Sequence, residues 1–501
     1  MTQRSNMIKS PIIVMIFTLL LTSCNKSQEN NKTNNDSTPH VPPIQKTIIK
    51  KSTVVNSKTP NLLFILVDDL GWRDLGHYGS DFYQTPHIDN LAKKGMSFSQ
   101  AYTAAHICSP TRMSILTGKH PAKLHVTDWI PGWSYPYEKM AVPAWNQKGL
   151  SSKEITVGEI LQQQGYTTAW LGKWHVRGFA EDKAIKEKVI KEKVMKNNAA
   201  QLHGFDKGHQ DFSLNKIANN EDPKGVNNLT EQAINFISNA EKINKPWFVT
   251  ISHYSVHTPV HFNDEIRAQY EQNKKSNQQQ QNSSYAAMVE SLDESVGKVT
   301  QYLIENKLDE NTMIVFYSDN GGLDKNDSNT PTNNAPLRNG KASLYEGGIR
   351  VPLIVSWPKK IKMNTWNDQL VSSIDILPTL SAISGATKLP ENIDGVDLSP
   401  VLFQQEELTR TKLYWHYPHY HRQGRPSGSI RDGKYKLIQF FDNNNIELYD
   451  LSKDIGETNN LVAIKPIKVQ NMLKNLEQWR ADSGAQMMKP NLNYNPEKAK
   501  Y

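Results

Sequence analysis

The stretch 106–120 reads His-Ile-Cys-Ser-Pro-Thr-Arg-Met-Ser-Ile-Leu-Thr-Gly-Lys-His and sets a thiol, a proline and a guanidinium within one helical turn. Pro110 suits the first turn of a helix, where its missing N–H has no partner to lose. Gly118 is a natural stop. Cys108 then lies at a helix N-terminus, where unpaired N–H groups and the macrodipole favour negative charge. Arg112 adds a fixed cation one turn along, so the place is suited to holding an anion against side chain 108. The alternative reading of Cys108 is a buried structural thiol. Two further groups could do chemistry. Asp68-Asp69 and Asp319-Asn320 are hard oxygen donors, suited to Ca²⁺ or Mg²⁺ rather than to a soft metal. Each pair alone reads equally well as a turn; two pairs at the ends of two apolar runs read as a metal site. Gly321 and Gly322 after the second pair let backbone approach a ligand closely.

These residues need a scaffold, and the apolar pattern supplies one. Short continuous apolar runs at Asn61–Val67, 168–171, Trp247–Ser252, 312–317 and 351–356 suit strands buried on both faces. Helical patterns at 155–164 and 285–303 separate them. Strands alternating with helices predict an α/β fold with helices on both faces of the sheet. Ligands bind at the C-terminal ends of the strands in such sheets. Four of the runs end in polar groups: Asp68-Asp69, Lys173 to His175, His253 to His257 and Asp319-Asn320. Those groups are expected to converge on one rim. After about Gly385 the segments shorten, at 412–416, 429–431, Tyr435–Phe440 and 447–449, which predicts a smaller antiparallel sheet with a packed helix at 464–482. The Lys- and Glu-rich stretch 181–196 reads as a solvated helix, and the Gln-rich stretch 273–284 as a flexible loop.

From about Pro60 to Leu461 the chain resembles the type I sulfatases. The resemblance rests on Cys108-x-Pro110-x-Arg112, Leu66-Val67-Asp68-Asp69, Gly172-Lys173-Trp174-His175, His257-Thr258-Pro259, Ser318-Asp319-Asn320-Gly321-Gly322, Gly340-Lys341 and Tyr345-Glu346-Gly347-Gly348, in this order. The segment 447–451 with Asp454, Glu457, Asn460 and Leu461 resembles the family's C-terminal end. Thr111 stands where many members carry Ser or Ala. The resemblance implies an alkaline-phosphatase-like fold, with a large mixed, mostly parallel sheet and a smaller C-terminal α+β subdomain. It also implies oxidation of Cys108 to formylglycine by a formylglycine-generating or sulfatase-maturing enzyme. Asp68, Asp69, Asp319 and Asn320, with the modified Cys108, are then expected to bind the cation, Ca²⁺ rather than Mg²⁺. Arg112 is expected to hold the aldehyde hydrate, and Lys173 and Lys341 to contact the sulfate. Of the two histidines, His257 would donate to the leaving oxygen with help from Lys341, and His175 would act as base. The chemistry asks for such a set. A sulfate ester is an anion, so metal and lysines must offset charge as the nucleophile approaches. One hydroxyl of the hydrate attacks sulfur, and deprotonation of the other expels sulfate.

Composition bounds the partners. The 501 residues carry a net charge of +8. Residues 1–23 contribute +2 and residues 24–60 a further +4, leaving +2 for the rest. The basic balance belongs to the N-terminal tail, so the folded part lacks the basic face a nucleic-acid partner would need. Arg4 and Lys9 precede an apolar run at 11–21 that is too short to span a bilayer. Leu21-Thr22-Ser23-Cys24 resembles a bacterial lipobox, with cleavage before Cys24 and lipid on its sulfur. Cys24 and Cys108 are the only cysteines, so no disulfide is expected. The resulting division is a leader (1–23), a lipidated tether (24–59), a catalytic α/β domain (60–385), an antiparallel-sheet subdomain (386–490) and a tail (491–501). Without an acidic cluster after Cys24, a periplasm-facing, membrane-anchored protein is expected.

His416, His419 and His421 lie near Arg422 and Arg425. Their spacing is loose for zinc. A rim reading a sulfated sugar suits them better, with Trp415, Tyr417 and Tyr420 against sugar faces; the alternative is a solvated loop. The substrate class expected is oligosaccharides of an algal sulfated polysaccharide or of a galactose- or N-acetylgalactosamine-containing glycan. Two competing readings are a formylglycine-dependent phosphomonoester or phosphodiester hydrolase and a non-catalytic glycan-binding lipoprotein.

Overall fold

β1 (Asn61–Val67) is buried along its whole length because both its faces carry apolar side chains. It lies in an eight-stranded sheet with β2 (Met96–Phe98), β3 (Thr167–Gly172), β4 (Lys207–Gly208), β5 (Trp247–Ser252), β6 (Thr312–Ser318), β7 (Leu353–Ser356) and β8 (Thr365–Asn367). The spatial order is β8-β2-β7-β6-β1-β5-β3-β4. β1 runs parallel to both β5 and β6, and β3 continues the parallel run on β5. β7 runs antiparallel to both of its neighbours. The sheet is therefore mixed and mostly parallel, as expected. The computed structural model describes residues 59–177, 199–209, 214, 217–325 and 330–501. The expected leader, Cys24, all but the last residue of the tether and the stretch 181–196 lie outside the described residues. Among the described residues, no helix is long and apolar enough to cross a membrane.

Among the helices that cover the sheet are α1 (Pro86–Lys93), α2 (Cys108–Thr117), α3 (Val157–Gln163), α4 (Val226–Lys242), α5 (Ser283–Glu305) and α6 (Ile376–Ile383). Alternate residues of β1 explain how they divide. Leu62, Phe64 and Leu66 share a core with Met113 and Leu116 of α2, Leu161 of α3 and Leu377 of α6. Leu63, Ile65 and Val67 face the other way, toward Leu91 of α1, Leu229 of α4 and Leu292 of α5. Each fully buried Leu, Ile or Phe contributes about 1.5–3 kcal/mol. α3 is started by a capping box, with Thr156 and Glu159 each accepting from the other's backbone N–H.

The second sheet comprises β9 (Lys412–Tyr417), β10 (Ser427–Asp432), β11 (Tyr435–Phe440) and β12 (Ile446–Asp450), antiparallel in sequence order. Ile430, Leu437 and Leu448 pack under Val469, Met472 and Leu476 of α7 (Pro466–Ser483).

Two expectations need correction. The Gln-rich stretch is not simply a flexible loop: Gln280 is only 2% exposed, and its Nε2 donates to Asp74 Oδ1 at 2.8 Å. Trp415, Tyr417 and Tyr420 do not meet a sugar, because all three are buried. Trp415 donates to the Thr103 carbonyl at 2.7 Å, and Tyr417 donates to Asp128 at 3.1 Å. The alternating pattern of β9 turns Trp415 and Tyr417 into the protein.

Candidate active site at the rim of the sheet

The four polar strand ends expected to converge do so, because β6, β1, β5 and β3 are adjacent in the sheet. Backbone bonds stitch the exits together. Asp68 N donates to Ser255 O at 3.0 Å, Asp319 N to Val67 O at 3.0 Å and Lys173 N to Ser252 O at 2.8 Å. Asp69 turns the chain in the left-handed region (φ 63°), which Asp tolerates better than most residues. Asp74 holds that turn by accepting from Gly71 N at 2.8 Å and from Tyr285 Oη at 2.6 Å. Gly172 (φ +100°) leaves β3 where any Cβ would strike the Ser252 carbonyl.

Cys108 is the first residue of α2, and Gly118 ends that helix in the left-handed region. Its thiol is buried. Ligand atoms of Asp68, Asp69, Cys108 and His257 lie within 4.8 Å of one another. Asp319 joins through Oδ1, which accepts from Asp69 N at 3.2 Å. Asn320 donates from Nδ2 to Asp69 Oδ1 at 2.8 Å. Asp68 Oδ1 and Asn320 Oδ1 are buried and accept no hydrogen bond. Unpaired oxygens among converging carboxylates are costly unless a cation takes them. The donor set thus fits a hard divalent cation, with oxygen offered by Asp68, Asp69, Asp319 and Asn320. The glycines after Asn320 serve a different contact from the one expected. Gly321 N donates to Gly348 O at 3.0 Å, and a Cβ there would collide with the Gly347 carbonyl, so the close approach is to the turn Glu346–Ile349.

Three cations balance the three acids. Lys173 Nζ lies 2.6 Å from Asp68 Oδ2, and Lys341 Nζ lies 2.6 and 2.8 Å from the oxygens of Asp69. Arg112 is fully buried; its Nε donates to Asp319 Oδ2 at 2.8 Å and its Nη1 to the Lys173 carbonyl at 2.8 Å and Ser252 Oγ at 2.7 Å. Arg112 therefore braces the acids and the β3 and β5 exits. Burial alone would raise the Asp68 carboxyl, but Lys173, with His257 and Arg112, holds it far below the usual carboxylate range. Burial would likewise raise Asp69, and Lys341 outweighs it. Asp319 is pushed up to about 6 by burial and by Asp68, against the pull of Arg112. Burial, with Asp319 and Asp68, raises the Cys108 thiol despite the two lysines.

Both histidines are held neutral. Burial, Lys173 and Arg112 push His175 well below its ordinary value. Its Nε2 is 2.9 Å from the Ile130 carbonyl, so Nε2 carries the proton and Nδ1 is the basic nitrogen. Burial, then Lys341, lowers His257 to about 4. Its Nδ1 donates to the Thr258 carbonyl, and its Nε2 lies 3.7 Å from Asp69 Oδ2.

The sequence reading missed several residues. Lys224 donates to the carbonyls of His257 and Pro259 at 2.6 and 2.8 Å and so fixes the histidine's loop; burial lowers it to about 8. A lone lysine between insertions carries no pattern that would flag it. Above Cys108 a cavity of about 360 Å³ is walled by His175, His257 and Lys341, and also by Trp129, Trp133 and Arg422. Lys173 stays tied back on Asp68. The histidine cluster is dispersed: His421 lines this cavity, while His416 bonds the Gln486 carbonyl and His419 bonds Thr127.

Residues 60–386 match the family described as Sulfatase, and residues 339–482 match that described as N-sulphoglucosamine sulphohydrolase, C-terminal. A sulfatase of Formosa agariphila is 32% identical over 480 residues, covering 82% of this chain and 86% of that protein. Human arylsulfatase A is 29% identical over 478 residues, covering 86% of this chain and 89% of its own. The crystal structure of Ps i-CgsB in complex with k-i-k-neocarrahexaose is 28% identical, with a TM-score of 0.65, and the likeness covers 85% of this chain and 93% of that one. A family match over residues 60–386, with a 32% identical relative aligned along 82% of the chain, makes this protein a member of the sulfatase family and a sulfuric ester hydrolase.

Proposed function

We propose that this sulfatase removes sulfate from a sulfated carbohydrate, with residue 108 acting as formylglycine. The observation that carries the reading is Cys108 on the floor of an open cavity, within 4.8 Å of the Asp68, Asp69 and His257 ligand atoms. Trp129 and Trp133 on the cavity wall suit the apolar faces of a sugar. The relative that holds an oligosaccharide in its crystal structure supports the same class. The candidate substrates are oligosaccharides of an algal sulfated polysaccharide or of a galactose- or N-acetylgalactosamine-containing glycan.

Converted by a maturing enzyme, residue 108 supplies a hydrated aldehyde, with one hydroxyl to attack sulfur and a second whose loss of a proton releases sulfate. Ca²⁺, or Mg²⁺ with a poorer fit to a crowded donor set, would be held by Asp68, Asp69, Asp319, Asn320 and residue 108, and would favour the ionised nucleophile. Arg112 keeps the acids and the strand exits aligned, next to the hydrate. Lys341, and Lys173 once drawn off Asp68, offset charge on the sulfate oxygens. His175 Nδ1 takes the proton of the second hydroxyl. His257 donates to the leaving oxygen. Burial, then Lys341, keeps this imidazole neutral, and an anionic substrate offsets the second of these.

We further propose export as a lipoprotein anchored through Cys24 and facing the periplasm. A Cys24→Ala variant is then expected in the soluble rather than the membrane fraction. The chemical test is sulfate and phosphate release from singly sulfated and singly phosphorylated sugars, with protein co-produced with a formylglycine-generating enzyme. Cys108→Ala is expected to lower sulfate release by about 10⁴-fold or more. Release of phosphate alone would move the protein to the phosphohydrolase reading. Silence from a chain shown by mass to be converted would favour the glycan-binding one.

A further inference from the structure

The cavity above Cys108 does not end at the sulfate site. A second cavity of about 280 Å³ adjoins it and shares the wall formed by Lys325, Lys341, His421, Arg422 and Gln423. We infer that this second cavity is a subsite for the neighbouring sugar of an oligosaccharide, and that Arg422 and Lys325 select a neighbour carrying an anionic group, a second sulfate or a carboxylate. The inference rests on the sulfated-carbohydrate reading and deepens it.

Charge pairing singles out the two residues. Arg425, in the same wall, is spent on Asp442, with contacts of 2.9, 2.9 and 3.1 Å. Lys341 pairs with Asp69 and is already assigned to the sulfate itself. Asp324, also in this wall, is 8% exposed and turned to Thr330 Oγ1 at 3.3 Å and Asn334 N at 3.4 Å. Arg422 and Lys325 are exposed and have no carboxylate partner among the described residues. A guanidinium presents a planar fork that fits a sulfate or carboxylate edge. Arg422 is also held in place, its guanidinium carbon 5.4 Å from the centre of the Trp133 ring.

The platform under Arg422 is built rather than loose. Trp133 packs edge-on against Trp129, with centroids 5.4 Å apart. Asp128 accepts from Trp129 N at 2.9 Å and from Tyr417 Oη at 3.1 Å. Ile130 between the tryptophans is tied to both sides of the reaction centre: its N–H donates to Ser109 Oγ at 3.0 Å, and its carbonyl accepts from His175 at 2.9 Å. Trp133 itself remains 49% exposed. The loop therefore offers an aromatic face at a fixed distance from residue 108. A second anion beyond it would be met by cations that have no carboxylate partner among the described residues.

The test uses full-length, converted protein and two pairs of disaccharides. One pair is galactose-4-sulfate linked to anhydrogalactose, with or without a second sulfate on the anhydro ring. The other is N-acetylgalactosamine-6-sulfate linked to glucuronate or to glucose. Within a pair, the wild type is expected to favour the doubly anionic member in kcat/KM, chiefly through KM. Arg422→Gln should cut that preference about tenfold to a hundredfold, the size of a lost charge-assisted hydrogen bond. Arg422→Lys should restore part of it, and Lys325→Gln should cut it less. No preference in the wild type, or the same preference in Arg422→Gln, would overturn the inference. If no disaccharide releases sulfate, the sulfated-carbohydrate reading is in question. Calorimetric binding of the same pairs to Cys108→Ala then decides for the subsite. Tighter binding of the doubly anionic member that Arg422→Gln abolishes supports it, and equal binding sinks it.

Discussion

Two clusters of buried charge lie in this protein, and they do opposite things. One gathers Asp68, Asp69 and Asp319 with Arg112, Lys173 and Lys341 at the strand exits. The other gathers Glu346 and Glu457 around Lys436, with Arg350 and Arg431 alongside. Both are buried, and both hold carboxylates far from their ordinary pKa values. In the second, every carboxylate oxygen has a donor or cation close by. Glu346 Oε1 lies 2.9 Å from Lys436 Nζ, and Oε2 accepts from Tyr102 Oη at 2.7 Å. Glu457 Oε1 lies 2.9 Å from Lys436 Nζ, and Oε2 accepts from Glu346 N at 2.7 Å. In the first, Asp68 Oδ1 and Asn320 Oδ1 accept no hydrogen bond, and Arg112 stays 3.9 Å from the Asp68 oxygen. Burial and shifted pKa values do not separate a working site from a structural clasp. Ligand atoms converging on one reactive thiol do.

The comparison would break most visibly at Lys436, which is 0% exposed and fastens β11 to the turn that carries Glu346. Lys436→Ala strands two carboxylates in the interior and is expected to cost about 3–5 kcal/mol in denaturant unfolding. The kcat/KM of the protein that remains folded should stay within about threefold of wild type. A large loss of activity at unchanged stability would reverse the roles given to the two clusters. A smaller effect is expected from the cation. Ca²⁺ at a hundredfold excess over its Kd should add about 2.7 kcal/mol to unfolding, seen as a rise in Tm that Asp68→Asn removes. A Tm indifferent to Ca²⁺ and to chelator would mean that the open oxygens do not mark a metal site.

The smallest expected effect is in pH. Glu457 is pushed up to about 7 by burial and by Glu346, against the pull of Lys436. Its ordinary value is 4.5, so the folded state binds this proton more tightly than the unfolded one. The associated stability is full below about pH 4.5 and is lost as pH rises toward 7. Relative to Glu457→Gln, the wild type should lose stability across that window in pH-dependent unfolding. Glu346, held down to about 2 by Lys436, Arg431 and Arg350 despite its burial, works in the opposite sense and lower, losing its contribution as pH falls from 4.5 toward 2. Parallel slopes for the two proteins between pH 4.5 and 7 would remove Glu457 from the clasp's titration.

Much of this was legible from residue types. Asn61–Val67 and Trp247–Ser252 announce themselves because a strand covered on both faces has no polar alternation to confuse the pattern. Their polar exits follow from the parallel order. The direction of β7 was not legible: an apolar run at 351–356 reads the same in either sense, and only pairing with β6 and β2 sets it. Trp415 and Tyr417 were misread because aromatic content without a known register does not tell which face is buried. Trp129 and Trp133 went unnoticed because loop positions have no periodicity to betray them. Glu346 and Glu457 sit in motif segments that resemble a family pattern, yet their partners show them serving the clasp between sheets rather than the reaction.

The four exits that carry the site belong to neighbouring strands in the middle of the sheet, each hydrogen-bonded to the next. Strand spacing is about 4.8 Å, so the ladder acts as a fixed ruler for the charges mounted on it. Amides in such central strands exchange with solvent only when the whole domain opens. The Trp133 loop is fastened to that ruler through Ile130, which bonds Ser109 beside the thiol and His175 at the exit of β3. The aromatic wall that would meet a substrate is thereby set out from the same frame that spaces the reactive charges.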